Sequence, residues 1–439
     1  MSQRIAFFTL GCKVNQFDTD AMRELFEQAG YETVDFDESA DIYLINTCTV
    51  TSTGDQKSRQ MISRAHAKNP SAKIVVAGCY AQRDPDRVRL LPGVSLLIGS
   101  KERSRIVELV EGLKEGQAPL SAVGNLAGER AFELLGATHE SRTRAQLKIQ
   151  EGCDRFCTYC IIPYARGPLR SRPLADIRSQ FGQLAENGYL EVVLTGIHLM
   201  SYGKDLQDGT TLLDAIAEAD GFPAIRRIRL GSLEPQLLSD EFVAGLANNP
   251  KVCRQFHLSL QSGSAGVLRR MGRRYTPAEY AACAQRLRQA MPGCAITTDV
   301  IVGFPGETEA EFDETLRFVE ETALCRIHVF PYSRREGTAA ACMPGQLSRA
   351  VKAQRARRLC ALAQRLEQSY LESMVGTAQE VLFEEAKDGF IEGYTGNYAR
   401  VRVNGASPEL AGRLYQVDIR QAENGFLLGS IIESSHKEE

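Results

Sequence analysis

The sequence predicts an α/β protein with an N-terminal doubly wound parallel sheet, a central open, partial (β/α)6 barrel and a small C-terminal all-β barrel. Three observations lead to this fold class. Short apolar runs alternate with amphipathic stretches over the first 115 residues, the alternation recurs six times from Gln146 to about Pro331, and five short strands follow Gly376. A chain of 439 residues is long enough for several domains.

Composition is that of an ordinary globular protein. Apolar residues make up 43% and charged residues 24%, and the net charge of −3 does not mark a nucleic-acid binder. We expect no signal peptide, because the apolar run within Met1–Lys13 is too short. We also expect no membrane span, because no apolar stretch of the sequence approaches the necessary length. Twelve cysteines without an export signal favour a reducing, cytoplasmic location over a disulfide scaffold.

The N-terminal part is predicted to alternate four strands with four helices. The strands are expected at Ile5–Phe8, Ile42–Ile45, Lys73–Ala77 and Ser95–Ile98. The helices are expected at Phe17–Ala29, Thr53–Lys68, Arg83–Leu91 and Lys101–Gly112. Such alternation gives a parallel sheet, whose carboxyl edge is where ligands bind.

Three cysteines fall at that edge. Cys12, Cys48 and Cys79 each follow one of the first three predicted strands, so the topology brings them together although they are distant in sequence. A lone cysteine is usually a small buried apolar residue. Three of them in corresponding loops favour a metal or cluster site with three protein ligands.

A second set of cysteines is close in sequence. Three residues separate Cys153 from Cys157, and two separate Cys157 from Cys160. Three such thiolates can hold three irons of a 4Fe–4S cluster and leave the fourth iron open, whereas ferredoxins supply a fourth cysteine. An open metal position indicates chemistry rather than a structural role. Zinc is the competing interpretation, and it would need a fourth ligand from elsewhere.

The central part is predicted to hold six strands, too few for a closed eight-stranded barrel. They are expected at Gln146–Gln150, Leu190–Thr195, Arg226–Leu230, Gln255–Leu260, Ala295–Val302 and Cys325–Phe330. Chemistry in such barrels lies at the carboxyl ends of the strands. The candidate cofactor-binding residues at those ends are Thr195, Gly196, Ser232, Glu234, Gln261, Gly303 and Pro305.

Two of these candidates carry a specific argument. Gly303 opens a run that ends at Thr308 and lacks the Lys-Ser/Thr of a nucleotide-triphosphate loop, so we interpret it as backbone that approaches a flat ligand closely. Glu234 can accept two hydrogen bonds from ribose hydroxyls. The competing interpretation of Glu234 is an acidic residue at the start of a helix from Leu237.

The triplet motif, with Tyr159 directly before the third cysteine, resembles that of radical S-adenosylmethionine (SAM) enzymes. Together with Cys12, Cys48 and Cys79 it resembles the methylthiotransferase family over essentially the whole chain. The resemblance implies two 4Fe–4S clusters and two SAM molecules. One SAM would be bound at the open iron and cleaved to a 5′-deoxyadenosyl radical, with Tyr159 and the run from Gly303 against its adenine. The second SAM would methylate a sulfur that is transferred to C2 of an adenine.

Within that family, the runs Gly11–Gln16 and Asn46–Thr51 are most similar to the branch that modifies N6-threonylcarbamoyladenosine beside the tRNA anticodon. The isopentenyladenosine branch shows Gly-Cys-Gln-Met-Asn and Asn-Thr-Cys-x-x-Arg at these places. The resemblance implies a tRNA anticodon stem-loop as partner, together with an unidentified electron donor and sulfur source.

The predicted organisation has five segments. They are a flavodoxin-like methylthiotransferase domain at 1–115, a linker at 116–140, a radical SAM core at 141–345, a basic connecting helix at 346–374 and a TRAM-like β-barrel at 375–439. The last segment carries six basic and eleven acidic residues, unlike most RNA-binding modules. Candidate RNA contacts are Arg273, Arg274, Tyr275, Arg400 and Arg402, with Tyr394 and Tyr398 completing a stacking face beside the last two.

The sequence is also compatible with three different functions. The first is a methylthiotransferase acting on isopentenyladenosine in tRNA or on a ribosomal protein. The second is a radical SAM enzyme whose N-terminal cluster only relays electrons. The third is a non-enzymatic protein that binds RNA or is structured by zinc.

Overall fold

The predicted three-part α/β architecture is confirmed. The computed structural model describes residues 2–114, 116–138, 143–387, 389–405 and 407–432. A six-stranded sheet, two four-stranded sheets and a closed five-stranded barrel follow one another along the chain. Within these ranges, no helix is both long enough and apolar enough to span a bilayer.

The N-terminal sheet is entirely parallel, in the order β2-β1-β3-β4-β5-β6. Its strands are β1 (Arg4–Thr9), β2 (Glu32–Val34), β3 (Ile42–Thr47), β4 (Lys73–Gly78), β5 (Val94–Ile98) and β6 (Leu120–Ala122). Its helices are α1 (Lys13–Gln28), α2 (Ser52–Lys68), α3 (Cys79–Arg83), α4 (Pro85–Arg89) and α5 (Ile106–Glu111). The central strand β3 is buried along its whole length, as expected for a parallel strand covered on both faces.

Two details differ from the sequence-based expectation. The single helix predicted at Arg83–Leu91 is wrong in its bounds. Two short helices occupy this region instead, one that begins at Cys79 and one that begins at Pro85. Proline has no N–H to donate and favours the first turn of a helix, so it separates α3 from α4. The stretch predicted as a linker also contributes β6, which extends the sheet by pairing with β5.

The core has the six predicted parallel strands, with the third divided into β10 and β11. The strands are β7 (Arg144–Glu151), β8 (Arg170–Ser171), β9 (Glu191–Gly196), β10 (Arg227–Leu230), β11 (Ser232–Leu233), β12 (Gln255–Leu258), β13 (Ala295–Val302) and β14 (Arg326–Pro331). At Gly231 the chain leaves β9 and pairs with β12, so two sheets share one open barrel. The short β8 was not predicted and pairs antiparallel with β7.

Helices cover the outside of the core. They are α6 (Ile162–Arg166), α7 (Leu174–Glu186), α8 (Leu212–Ala217), α9 (Asp240–Asn248), α10 (Ala265–Met271), α11 (Pro277–Ala290), α12 (Glu309–Glu321) and α13 (Ala339–Cys342). The helix predicted from Gln346 to Met374 is α14 (Arg349–Glu372), which packs against the edge strand β14. Buried Arg355 of α14 pairs with Glu307 over 2.6 Å and so ties α14 to the loop after β13.

The C-terminal barrel closes in the order β15-β16-β17-β19-β18. Its strands are β15 (Ala378–Lys387), β16 (Phe390–Thr395), β17 (Arg400–Asn404), β18 (Leu414–Glu423) and β19 (Phe426–Ile431). It is anchored to the core by Arg227, which pairs with Glu380 over 2.9 Å and donates to the carbonyl oxygen of Tyr394.

Candidate active site

The first three predicted ligands lie at the carboxyl edge of the N-terminal sheet. Cys12 is the N-cap residue of α1, Cys79 begins α3, and Cys48 lies in the loop after β3. The loops approach closely, since a Cβ atom at Gly11 would lie 3.0 Å from the Cys48 sulfur. Burial, together with the nearby sulfurs of Cys79 and Cys12, raises the pKa of Cys48 to about 12.

The second set of three cysteines occupies a tightly folded loop directly after β7. The backbone N–H of Cys153 donates to the carbonyl oxygen of Gly167 over 3.0 Å, and that of Cys160 donates to the carbonyl oxygen of Cys157 over 2.9 Å. Gly152 has φ +74°, and a Cβ there would lie 1.8 Å from a carbonyl oxygen of Pro168, so only glycine fits.

Both sets have the surroundings that an iron–sulfur cluster requires. Burial raises the pKa of Cys153 to about 11 and that of Cys160 to about 12. These thiols therefore stay protonated in the absence of metal and lose their protons when a metal binds to the sulfurs. Arg273 Nη1 donates to the Cys157 sulfur over 3.4 Å, and Arg166 Nε donates to the Cys79 sulfur over 3.1 Å. Such N–H donors stabilise charge on cluster sulfurs, so the residues fit an iron–sulfur cluster at each place.

A buried network of charges joins the two loops. Arg166, at the end of α6, pairs with Asp18 of α1 over 2.9 Å and with Glu151 of β7 over 3.1 Å. Arg103 and Lys148 also pair with Asp18, and all five side chains are almost fully buried. Burial alone would raise the pKa of Asp18, but these three cations hold it below its usual range. The network therefore fixes the N-terminal sheet against the core.

A second contact between domains holds the loop that carries Cys48. Arg335, which follows β14, donates to Thr49 Oγ1 over 2.6 Å and pairs with Asp55 over 2.7 Å. Ser333 also accepts a hydrogen bond from the backbone N–H of Ser52. The core thus positions the middle cysteine of the N-terminal set.

Most predicted cofactor contacts gather at the carboxyl ends of the core strands. Tyr159 packs edge-on against Phe304, with 6.5 Å between ring centroids, so the triplet loop meets the run that starts at Gly303 and includes the buried Pro305. Thr195 and Gly196 end β9, and an added Cβ on Gly196 would lie 2.8 Å from Gln150.

The remaining candidates at these strand ends differ in exposure and backbone. Gln261 has φ +69° and pairs with β13 through the carbonyl oxygen of Asp299. Ser232, in β11, is exposed. The structure thus places these residues at neighbouring strand ends without bringing them into one continuous wall.

Glu234 lies at the centre of a cluster of positive charge. Its carboxylate pairs with Arg155 over 3.1 Å, with Arg273 over 3.2 Å, and with the Nε2 atom of His198. Burial would raise the pKa of Glu234, but the His198 hydrogen bond and the two guanidinium groups hold it below its usual range. The helix-start interpretation is met in position only: Glu234 precedes a short 3₁₀ helix at Pro235–Leu237, but its side chain makes no capping hydrogen bond, and α9 begins at Asp240.

A basic cavity of about 570 Å³ opens beside Cys153. Its walls include five residues that can carry positive charge, namely Arg130, Arg155, His198, Lys204 and Arg274. Of these five residues, Arg274 alone was among the predicted site residues. Arg155 lies inside the triplet motif and could have been found there, whereas no sequence pattern marks Arg130 or Lys204. The cavity suits a ligand that bears carboxylate or phosphate groups.

The predicted RNA contacts near residue 273 divide into two kinds. The Arg273 side chain is 8% exposed, and Tyr275 is buried, with its hydroxyl donating to the carbonyl oxygen of Leu260 over 2.7 Å. These two side chains therefore support the triplet loop from inside the protein. Arg274 alone of the three is exposed.

The aromatic and basic residues predicted to form a stacking face on the C-terminal barrel make two sets of ring contacts. Arg402 lies over the ring of Phe426 at 3.5 Å, and Arg400 lies over the same ring at 4.5 Å. Tyr394 and Tyr398 stack on each other at 4.8 Å, but their cationic neighbours are Arg144 and Arg229 of the core rather than Arg400 and Arg402. Tyr394 nevertheless lies directly opposite Arg400 where β16 pairs with β17, so these two side chains share one face of the barrel.

Comparison with family models covers all three parts of the chain. Residues 4–99 match an uncharacterized protein family, UPF0004, residues 147–319 match the radical SAM superfamily, and residues 372–432 match the TRAM domain. A solved structure of the radical SAM methyltransferase TsrM from Kitasatospora setae, with cobalamin and a 4Fe–4S cluster bound, aligns with a TM-score of 0.57. It is 16% identical and covers 78% of this chain and 77% of that one, a likeness of fold.

Full-length relatives give the family. The threonylcarbamoyladenosine tRNA methylthiotransferase MtaB of Bacillus subtilis is 44% identical over 425 residues, 95% of this chain and 94% of that protein. Its Thermotoga maritima namesake is 37% identical over 89% of each chain. A tRNA-2-methylthio-N(6)-dimethylallyladenosine synthase of Moorella thermoacetica is 35% identical over 97% of each. The chain therefore belongs to the radical SAM tRNA methylthiotransferases, a family of transferase enzymes.

Proposed function

We propose that this enzyme adds a methylthio group to C2 of N6-threonylcarbamoyladenosine beside the tRNA anticodon, using two 4Fe–4S clusters and two molecules of SAM. The observation that carries the proposal is the pair of three-cysteine sets, joined by Arg166, in a chain that is 44% identical to an MtaB protein. A reducing cytoplasm is the compartment that these cysteines suit.

The ligands of the two clusters would be Cys153, Cys157 and Cys160 in the core and Cys12, Cys48 and Cys79 in the N-terminal sheet. When bound, the core cluster supplies the electron that cleaves SAM, and the N-terminal cluster supplies the sulfur that is methylated and transferred. A radical is required because the C2–H bond of adenine is too weakly acidic for a side-chain base to ionise.

The protein's own side chains bind and orient. Glu234, held between Arg155 and Arg273, presents a fixed carboxylate that suits the ribose hydroxyls of SAM. Tyr159 and the backbone from Gly303 line the adenine. The basic cavity beside Cys153 attracts the carboxylate of SAM or the phosphates of the RNA.

The test uses protein purified without oxygen, with reconstituted clusters, SAM, reductant and an anticodon stem-loop that carries threonylcarbamoyladenosine. Mass spectrometry of the digested nucleosides should show a methylthio increment on that nucleoside. An increment only on isopentenyladenosine RNA or on a ribosomal protein would keep the chemistry and overturn the substrate.

The electron-relay and zinc hypotheses make different predictions. If the N-terminal cluster only relayed electrons, SAM would be cleaved without sulfur transfer to any substrate. Membership of an enzyme family argues against a non-enzymatic, zinc-structured protein. Iron analysis tests that hypothesis directly, since zinc would replace iron at the cysteines.

A further inference from the structure

A cavity of about 690 Å³ opens where the three parts of the chain meet. Lys13, the residue after Cys12, forms one wall, and Arg144 of β7 and Arg229 of β10 form another. The C-terminal barrel closes the cavity with Tyr398 and the acidic end of β15. Its volume is in the range of small-molecule sites, and it adjoins the loop of the first N-terminal cysteine.

The cations of this cavity differ in how firmly they are held. Arg229 is buried and fixed, because it pairs with Glu191 over 2.7 Å and donates to the carbonyl oxygen of Gly396 over 3.1 Å. Arg144 pairs with Glu384 through its Nε atom over 2.6 Å and makes a hydrogen bond with Tyr398, and its two terminal nitrogens carry further N–H groups that can donate to a carboxylate. Lys13 is exposed within the cavity. Lys13 of the N-terminal part and Arg144 of the core both line the cavity, so a ligand there can meet both side chains.

The electrostatic potential in the cavity is positive. Burial would raise the pKa of Tyr398, yet the charges of Arg144, Lys13 and Arg229 and a hydrogen bond with Arg144 hold it below its usual value. The carboxylates of Glu384 and Glu385 also line the cavity, and burial raises the pKa of Glu384 although Arg144 pairs with it. An anionic oxygen placed beside Tyr398 would be stabilised by all three cations.

We propose that this cavity is the subsite for the N6 substituent of the substrate nucleoside, with Lys13 and Arg144 binding its threonine carboxylate. The inference rests on the proposed function, because it assumes that the substrate is threonylcarbamoyladenosine. That substituent ends in a carboxylate, whereas the dimethylallyl group is an uncharged hydrocarbon. Lys13 and Arg144 would thus decide which modified adenosine is accepted.

The experiment compares two anticodon stem-loops with the cluster-loaded, full-length enzyme. One carries N6-threonylcarbamoyladenosine, and the second carries the same nucleoside with its carboxylate converted to a neutral methyl amide. Dissociation constants and KM values are measured for both RNAs with the wild-type enzyme, Lys13→Gln and Arg144→Gln. Arg420→Gln is the matched control, because Arg420 also belongs to the C-terminal barrel but pairs with Asp418 and lies outside this cavity.

The expected result is a selective loss. The wild-type enzyme should bind the carboxylate RNA at least about tenfold more tightly than the amide RNA, as removal of a hydrogen bond to a charged group predicts. Lys13→Gln and Arg144→Gln should bring that ratio close to one, whereas Arg420→Gln should keep it. Equal binding of both RNAs by the wild type, or an unchanged ratio in Arg144→Gln, would overturn the subsite.

Two controls keep the outcome decisive. Lys13 is adjacent to Cys12, so the iron content of Lys13→Gln is measured. If that content falls, the subsite is judged from Arg144→Gln alone. The proposed function can fail separately. A wild-type enzyme that discriminates between the RNAs in binding but transfers no methylthio group to either would keep the subsite and overturn the reaction.

Discussion

Arg166 donates a hydrogen bond from Nε to the Cys79 sulfur over 3.1 Å, and this contact joins the two predicted cluster loops. Arg166 ends α6, six residues after Cys160 in the chain, while Cys79 belongs to the N-terminal sheet. The same guanidinium pairs with Asp18 and Glu151, so its orientation is fixed by buried carboxylates on both sides of the domain boundary. One side chain therefore both positions the domains and contacts a predicted cluster ligand.

Replacing Arg166 should change the electronic properties of the N-terminal cluster. We expect Arg166→Gln to lower its reduction potential, because an N–H donor to a ligand sulfur stabilises the reduced, more negative state. The measurement is a potentiometric titration followed by electron paramagnetic resonance, in a background where Cys153, Cys157 and Cys160 are alanine. Arg103→Gln is the control, since Arg103 belongs to the same network but contacts carboxylates and the carbonyl oxygen of Ser100. An equal change of the reduction potential in both variants would indicate that the charge network, rather than the contact with the Cys79 sulfur, causes the effect.

Removing the carboxylate at the centre of the network should destabilise the protein. Asp18→Asn leaves the buried cations Arg103, Lys148 and Arg166 to share the remaining buried carboxylate of Glu151, and breaking such a buried network costs about 3–5 kcal/mol. The midpoint of thermal unfolding should fall by several degrees, while Arg105→Gln, which breaks an exposed pair with Glu108, should leave it unchanged.

The same carboxylate predicts the pH dependence of stability. Because the pKa of Asp18 is lower in the folded than in the unfolded chain, its stabilisation is complete above the unfolded pKa and is lost as pH falls through the folded pKa. Below about pH 4 the unfolding midpoint of the wild type should therefore decrease more steeply than that of Asp18→Asn. Parallel decreases in both proteins would contradict the role given to Asp18.

Glu234→Gln should weaken SAM binding. The variant loses the charge that holds Arg155 and Arg273 and the acceptor proposed for the ribose, so the KM for SAM should rise by about tenfold or more. Glu218→Gln is the control, since Glu218 also pairs with an arginine, Arg178 of α7, which lies on the helices around the core. Iron content should stay constant in both. A KM unchanged within error in Glu234→Gln would remove this residue from the SAM site.

The face formed by Arg400, Arg402, Phe390 and Phe426 is the part of the C-terminal barrel expected to contact RNA. The double variant Arg400→Gln/Arg402→Gln should bind the stem-loop more weakly, and the slope of log K against log salt should become shallower by about one to two. Arg420→Gln, on β18 and paired with Asp418, provides the comparison. An unchanged slope in the double variant would place the RNA elsewhere.

The fold followed from sequence because strand and helix periods are local properties. Apolar runs such as Ile42–Ile45 and Ala295–Val302 lie within or coincide with observed strands. The convergence of Cys12, Cys48 and Cys79 was also predictable, since parallel strands place their following loops at one edge. The predicted bounds of a helix were wrong where a single residue interrupts the helical pattern, as Pro85 does between α3 and α4.

The side-chain partners of the site could not be predicted. Arg166 and Cys79 are 87 residues apart, and Arg144 meets Tyr398 across an even longer separation. Such contacts depend on how the domains dock, which neither hydrophobic period nor motif spacing encodes. Arg273 shows the opposite error, because a basic and aromatic run suggested RNA while low exposure and the pair with Glu234 place it under the triplet loop.

The most direct test of two clusters with separate roles is to compare Cys48→Ala with the wild type on threonylcarbamoyladenosine RNA. Iron content, 5′-deoxyadenosine formation and methylthio transfer are measured in the same reaction. We predict about eight iron atoms per chain in the wild type and about four in Cys48→Ala, with SAM still cleaved but no methylthio group transferred. Methylthio transfer by Cys48→Ala at the wild-type level would contradict the assignment of the N-terminal cysteines.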